Sequence, residues 1–357
     1  MTLYENPLYI EDIEAVSSLH LPWEELDGAA FLISGAGGLL GSFFTDVLLE
    51  RNIQGANIKI LALGRSLEKL EKRFGAKEGL YFVKYDINDP INLPEDERKI
   101  LKDAGSVYII HLASNTHPLQ YSTDPIGTVM TNITGLDNML KAACEYDAKR
   151  IVFASSNEIY GENRKDTELF SEDYCGYIDC NTLRAGYPES KRAGEALCQA
   201  YRKAKGLDIV IPRFTRSYGP TLLMTDTKAI SQFIKKGIAG EDIVLKSRGD
   251  QFYSYTYVAD AISGLFTVLL SGKDGEAYNI ADEASDITLR DLAMLIAQNA
   301  GTKVVFDIPD ETEAAGYSKA TKARLDGSKL KELGWRPRYD IHEGIKRTMD
   351  IFAQLSE

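Results

Sequence analysis

Short runs of consecutive apolar residues alternate along this chain with longer segments in which apolar positions recur every three or four residues. The runs fall at 30–34, 58–63, 81–85, 107–112 and 150–155, and are of strand length. The periodic segments between them, at 39–51, 67–74 and 129–146, predict helices. Strands that are apolar on both faces must be covered on both, so this alternation predicts a parallel sheet between two helical layers. A helix over 189–205 leads to a sixth strand at 209–213. After Pro220 the rhythm loosens, with glycines at 219, 237, 240 and 249 marking turns. A helix at 260–270 and a strand at 277–280 are expected to return to the sheet. The predicted fold class is therefore α/β, a doubly wound parallel sheet with a smaller C-terminal substrate lobe. Residues 29–213 and about 253–280 would form the first domain, and about 214–252 with 281–357 the lobe. Residues 1–28, with an amphipathic stretch at 10–19, read as an arm packed on the surface.

The length of 357 residues suits one long domain with a lobe better than three domains. Hydrophobic residues at 44% and charged residues at 26% describe a globular enzyme, not a disordered chain. A net charge of −12 argues against nucleic acid or an anionic membrane as partner, while a local basic pocket still allows an anionic substrate. No apolar run approaches the roughly 18 residues of a membrane span. Glu5, Glu11, Asp12 and Glu14 exclude a secretory signal at the start. Cys144, Cys175, Cys180 and Cys198 have no zinc-like spacing, and the four histidines are scattered. The expectation is a cytoplasmic protein with reduced thiols and no metal site.

Gly35-Ala36-Gly37-Gly38-Leu39-Leu40-Gly41 follows the first strand and opens a helix. Glycines at 35, 38 and 41 permit a tight turn and close approach of backbone to a pyrophosphate, the arrangement of a Rossmann-like dinucleotide site. The second strand ends in Gly64-Arg65, without the carboxylate that would accept bonds from an adenosine ribose. Arg65 thus leans towards the 2′-phosphate of NADP over NAD, or is a solvated surface charge. Asp86-Ile87, after the third strand, flank the adenine or make a strand-end turn. Tyr187 and Lys191 stand at i and i+4 on one helix face, where the ammonium would lower the phenol's pKa from about 10. Tyr201 and Lys205 repeat the spacing but read as an exposed face. Ser156, at the end of the fifth strand, completes a candidate alcohol-oxidising triad with Tyr187 and Lys191. Glu158 is a candidate second acid/base, or a carboxylate in a turn. His111 reads as structural, and His117 has no assigned role.

Taken together these residues resemble the extended short-chain dehydrogenase/reductase family of nucleotide-sugar enzymes. The shared segments are GxxGxxG at 35–41, HLAS at 111–114, SSNEIYG at 155–161, and Tyr187 with Lys191. Arg213 with Tyr218-Gly219-Pro220, Tyr257-Val258-x-Asp260, and Leu333-Gly334-Trp335-Arg336-Pro337 follow in family order. Within the family the chain most resembles UDP-glucuronate decarboxylases. That likeness lies in Pro118 and Tyr121 after HLAS, Thr131-Asn132-x-x-Gly135, and Arg184-Ala185-x-Tyr187-x-Glu189-x-Lys191-Arg192.

The resemblance implies that Tyr187 deprotonates a sugar C4 hydroxyl with Ser156 sharing the bond, and that hydride passes to bound NAD or NADP. The resulting 4-keto sugar would be decarboxylated, dehydrated or epimerised with Glu158 as acid/base. It also implies that Leu39, Leu40, Leu112, Ala113, Ser114 and Asn132 line the cofactor, that Asn115 faces substrate, and that the protein is a homodimer paired through 129–146 and 189–205. Met139, Leu140, Ala196 and Leu197 would lie in that seam or in the chain's own core. Two positions depart from the family. Tyr253 stands where an Arg is usual, and Arg216 where an Asn is usual. We expect a clamp for the substrate diphosphate to have moved to Arg216, with Lys228 assisting. The alternatives are an NADPH-dependent reductase of a keto sugar or other carbonyl, and a non-catalytic nucleotide-binding sensor or scaffold.

Overall fold

The structure, a computed structural model, describes residues 1–116, 121, 123–308 and 322–355. After helix α1 (Pro7–Ser17) the chain alternates β1 (Ala30–Ser34), α2 (Leu39–Ile53), β2 (Lys59–Gly64), α3 (Leu67–Phe74), β3 (Leu80–Lys84), α4 (Glu95–Asp103) and β4 (Val107–His111). There follow α5 (Pro125–Glu145), β5 (Arg150–Phe153), β6 (Ser155–Ser156), α6 (Gly186–Lys205) and β7 (Ile209–Phe214). The rest contains β8 (Arg216–Tyr218), α7 (Ala229–Ile238), β9 (Ile243–Leu245), β10 (Phe252–Tyr257), α8 (Val258–Ser271), β11 (Ala277–Ile280) and β12 (Asp286–Thr288). It ends with α9 (Leu289–Ala300), β13 (Val304–Phe306), β14 (Lys322–Ala323), α10 (Ser328–Glu332) and α11 (Ile341–Gln354).

The main sheet runs β11-β7-β5-β4-β1-β2-β3, with β6 beside β7, and all its pairs are parallel. β1 is central and buried throughout, and its pleat divides the core. Phe31 and Ile33 face one apolar layer with α1, α2 and α8, while Ala30 and Leu32 face the other with α5 and α6. Strand order reverses between β1 and β4, and a crevice at such a reversal is where open α/β sheets take ligands. Side chains fix the helix starts: Ser66 accepts from the Lys69 N–H, and Asp124 accepts from the Gly127 N–H ahead of Pro125.

Two expectations change. β10 pairs with β8 and β14 in parallel and with β12 in antiparallel, so 252–257 belongs to the small sheet of the second lobe. The N-terminal segment is also no surface arm. Tyr9 and Asp12 are fully buried. Asp46 on α2 accepts from the phenols of Tyr4 and Tyr9 and from Arg73. Asp12 accepts from Tyr257 (2.6 Å), Tyr339 (2.7 Å) and Arg347 (2.7 Å). Buried carboxylates need such partners, and these tie α1 to α2, β10 and the C-terminal helix.

Candidate functional site

The glycine turn joins β1 to α2 at the strand-order reversal. Gly35 has φ +75°, and a Cβ there would stand 2.7 Å from the Ala113 amide nitrogen. A Cβ on Gly41 would stand 2.1 Å from the Gly35 carbonyl oxygen, so both positions demand glycine. Gly38 caps α2 with no side-chain bond to the first-turn N–H groups. These bare donors, at the positive end of the helix, fit a pyrophosphate. Leu39 gives its carbonyl to Thr221 of the second lobe (2.8 Å), so the turn sits where the lobes meet.

The wall opposite comes from the segment after β4. Leu112 N–H donates to Ser34 O, and Ser114 Oγ donates to Asn132 Oδ1 (2.7 Å). Asn132 Nδ2 donates to Ser190 (2.9 Å), which donates to the Tyr187 carbonyl (2.8 Å). Ser114 and Asn132 thereby brace the helix that carries Tyr187. Ile87 is buried against Gly135, where a Cβ would lie 2.7 Å from it. Asp86 accepts from the Asn88 N–H in a strand-end turn. Arg65 is exposed beyond β2. Asn115 follows Ser114 and is half-buried, while His117 and Pro118 lie outside the described residues.

Tyr187, Ser156, Lys191 and Glu158 come together at the carboxyl ends of the sheet strands. The hydroxyls of Ser156 and Ser114 lie close enough to the buried Tyr187 phenol to favour its ionised form. Lys191 Nζ donates to the Ala154 carbonyl (2.8 Å) and lies 5.9 Å from the Tyr187 ring centroid. The expected acidification of the phenol by Lys191 does not dominate. Burial, then the Glu158 carboxylate, push the Tyr187 pKa above its ordinary value, against the hydrogen bonds of Ser156 and Ser114 and the charge of Arg184. Burial also lowers Lys191 itself to about 8. A positive charge placed close by, such as an oxidised nicotinamide carries, would stabilise the phenolate further.

Glu158, in the turn after β6, is ion-paired. Arg184 Nη2 donates to its Oε2 at 2.6 Å, and the guanidinium lies 4.9 Å from the Tyr121 ring centroid. Tyr121 in turn stacks on Tyr187 at 5.1 Å and 27°. Neither Tyr121 nor Arg184 stood out chemically in the sequence, although both belong to matched segments. Across the site, Arg216 on β8 lies over the Tyr253 ring of β10. Tyr253 feels the charges of Arg216, Glu158 and Arg184, which makes the cluster one electrostatic unit. Lys228 is less available than expected, because it pairs with Asp226 (3.1 Å) and reaches Thr116 (3.2 Å).

Other candidates fall outside the chemistry. His111 is buried on Phe153 and bonds Ser34 through Nδ1 (2.8 Å). Tyr201 reaches Asp137 across the α5–α6 seam (2.6 Å). Arg213 pairs with Glu195 (2.7 Å) and donates to Tyr160 (2.9 Å), a buried brace under the site. Among the described residues no group of His, Cys, Asp or Glu is arranged to hold a metal. No described helix is long and apolar enough to cross a membrane.

The sequence profile of the NAD dependent epimerase/dehydratase family matches residues 31–281. UDP-glucuronic acid decarboxylase 1 of Xenopus tropicalis is 30% identical over 333 residues, 93% of this chain and 74% of that protein. UDP-glucuronic acid decarboxylase 3 of Arabidopsis thaliana is 30% identical over 319 residues, 88% of this chain and 86% of that protein. A dTDP-glucose 4,6-dehydratase of Streptomyces venezuelae, solved with NAD bound, superimposes with a TM-score of 0.75 at 25% identity, covering 91% of this chain and 97% of that one. The UDP-glucose 4-epimerase of Thermotoga maritima shares the fold with a TM-score of 0.75 at 23% identity, covering 90% of this chain and 98% of that one.

Proposed function

The chain belongs to the NAD dependent epimerase/dehydratase family, and from that premise we propose that it oxidises a nucleotide sugar at C4 and decarboxylates the resulting 4-keto uronate. The observation that carries this reading is the convergence of Tyr187, Ser156, Glu158 and Lys191 beside the glycine turn. When bound, the dinucleotide supplies the hydride acceptor and a positive charge beside the phenol. Gly35, Gly38 and Gly41 make room for its pyrophosphate, and Arg65 favours a 2′-phosphate where the solved dehydratase carries NAD.

Tyr187 takes the proton of the C4 hydroxyl, and Ser156 holds that oxygen through the transfer. Lys191, fixed to the Ala154 carbonyl, keeps a positive charge beneath the ring at neutral pH. The ketone formed at C4 takes up the C5–C6 bonding pair as an enolate when the C6 carboxylate leaves as carbon dioxide. C5 then gains a proton, and return of the hydride to C4 with the proton held by Tyr187 restores the hydroxyl. Glu158, close enough for its charge to act on Tyr187, is the acid/base of this second step in the proposed reading. Arg216 holds the substrate's anionic diphosphate, with Lys228 a weaker contributor because Asp226 occupies it. Asn115 and Tyr253 complete the substrate wall.

The active unit is a homodimer paired through the outer faces of α5 and α6. Met139 and Leu140 are fully buried in the chain's own core and do not serve that seam. Ile126, Met130 and Ala196 are exposed there instead.

The test is mass spectrometry of products after incubation with NAD or NADP and a panel of UDP-glucuronate, UDP-glucose and dTDP-glucose. Loss of carbon dioxide from UDP-glucuronate is expected. An epimer or a dehydrated keto sugar would move the second step without moving the first. Stoichiometric consumption of free NADPH by a carbonyl compound would replace the reading with a reductase.

A further inference from the structure

Arg184 leaves the short 3₁₀ turn Leu183–Ala185 three residues before Tyr187, on the approach to α6. Its contacts close a ring of groups around the candidate base. Nη2 donates to Glu158 Oε2 at 2.6 Å, the guanidinium lies 4.9 Å from the Tyr121 ring centroid, and Tyr121 stacks on Tyr187. The Arg184 and Glu158 side chains are 47% and 25% exposed, and ion pairs this accessible add little to folding stability. The pair is therefore better explained by what it does to its neighbours.

Among the described residues, the groups gathered around the phenol come from several elements. Ser114 comes from the segment after β4, Tyr121 from the approach to α5, Ser156 and Glu158 from β6 and its following turn. Arg184 comes from the turn before α6, and Lys191 from α6 itself. Glu158 is the one anion in this set. A bare carboxylate beside a phenol opposes formation of the phenolate, and Arg184 is the cation in direct contact with that carboxylate. Its charge lowers the Tyr187 pKa where that of Glu158 raises it.

We propose that Arg184 is a positioning residue of the site: it holds the Glu158 carboxylate in place and screens it from Tyr187, so that an acid/base carboxylate and a phenolate base can coexist. The proposal rests on the reading of Tyr187 as the base. It explains how one site keeps two proton-handling groups of like charge in electrical contact without either silencing the other. Lys191 is instead engaged at the Ala154 carbonyl, and no contact joins it to the Glu158 carboxylate among the described residues.

The test uses NAD-loaded protein labelled with ¹³C at tyrosine Cζ, the Tyr187 resonance being assigned by its loss in Tyr187→Phe. Its titration is followed to pH 11 in wild type, Arg184→Lys, Arg184→Met and the double variant Arg184→Met/Glu158→Gln. Arg184→Met is expected to move the phenol midpoint up by about one pH unit, the size of a single charge contact of this kind. Arg184→Lys restores most of the shift, and adding Glu158→Gln to Arg184→Met returns the midpoint to the wild-type value or below. An unmoved midpoint in Arg184→Met overturns the proposal. So does a double variant that behaves like Arg184→Met, or a wild-type phenol that does not titrate below pH 11. The measurement needs no substrate, so a failure here is distinguishable from a failure of the nucleotide-sugar panel.

Discussion

The guanidinium carbon of Arg216 lies 3.6 Å from the centroid of the Tyr253 ring. These are the two positions read from the sequence as departures from the pattern it resembles, and the structure places them in contact. β8 and β10 are paired with Arg216 opposite Tyr255, so Tyr253 lies two residues back on the same face of β10. The ring supports the cation by cation–π attraction, and Arg216 Nη1 is buried without a hydrogen-bond partner among the described residues. A buried donor of this kind is satisfied by an incoming anion, and a charge-assisted bond contributes about 1.5–3 kcal/mol. Arg216→Ala is expected to weaken UDP-sugar binding by about tenfold or more in calorimetry. Tyr253→Leu removes the platform alone and should cost less, and Tyr253→Arg should restore part of the binding lost in Arg216→Ala. Wild-type affinity in Arg216→Ala would remove the diphosphate clamp.

Tyr187→Phe keeps the ring stacked on Tyr121 and removes only the group that takes the proton. Turnover should fall by several orders of magnitude, with the thermal midpoint almost unchanged. Tyr201→Phe has the same spacing to a lysine but loses only the bond to Asp137, and its turnover should stay within about twofold of wild type. Steady-state rates of the two variants, side by side, decide whether the motif or merely its spacing carries the chemistry.

The apolar runs of the main sheet were readable because a strand buried on both faces carries its signal in every residue. Helix 67–74 was readable from its apolar period, to which the structure adds a cap at Ser66 and a stop at Gly75. The environment of the arm was hidden. Asp12 and Asp46 look like surface charges until Tyr257, Arg347 and Arg73, distant in sequence, are brought to them. The site divided the same way. Tyr187, Lys191 and the glycines obey local spacing, whereas the Arg184–Glu158 and Arg216–Tyr253 pairs exist only once separate elements meet. Lys228 shows the reverse case, a basic residue in the expected region whose charge is claimed by Asp226 two residues away.

Arg65 is exposed where the second strand ends. A guanidinium at that place attracts a 2′-phosphate and offers a ribose hydroxyl no acceptor. NADP should therefore bind more tightly than NAD, and Arg65→Ala should erase most of the difference. Calorimetry in which NAD binds wild type equally well or better assigns Arg65 to the solvent.

The outer faces of α5 and α6 carry Ile126 at 78% exposure, Met130 at 47%, and the small side chains Ala193 and Ala196. Apolar residues at helical spacing beside small ones suit close helix packing, and the same face on a second copy would complete a four-helix seam. Light scattering at micromolar concentration should give twice the chain mass. Met130→Asp with Ala196→Glu places charges in the seam and should give the monomer mass, with the far-ultraviolet circular dichroism retained.

His111 makes the fold sensitive to acid. Burial, and then the nearby Lys191 charge, lower its pKa from the usual 6.5 to about 3. The unfolded chain takes up a proton below about pH 6.5, whereas the folded chain does so only near pH 3. Between those values the unfolded state binds more protons, so stability falls as the pH falls through that window. The loss from this one group is on the order of several kcal/mol by pH 3.5, at 1.36 kcal/mol for each pH unit below 6.5. His111→Gln retains a polar partner for Ser34 and has no proton to gain. Its urea midpoint should fall less than that of wild type between pH 7 and pH 4.5, even if it starts lower at pH 7. Parallel declines in the two proteins would place the acid sensitivity elsewhere than His111.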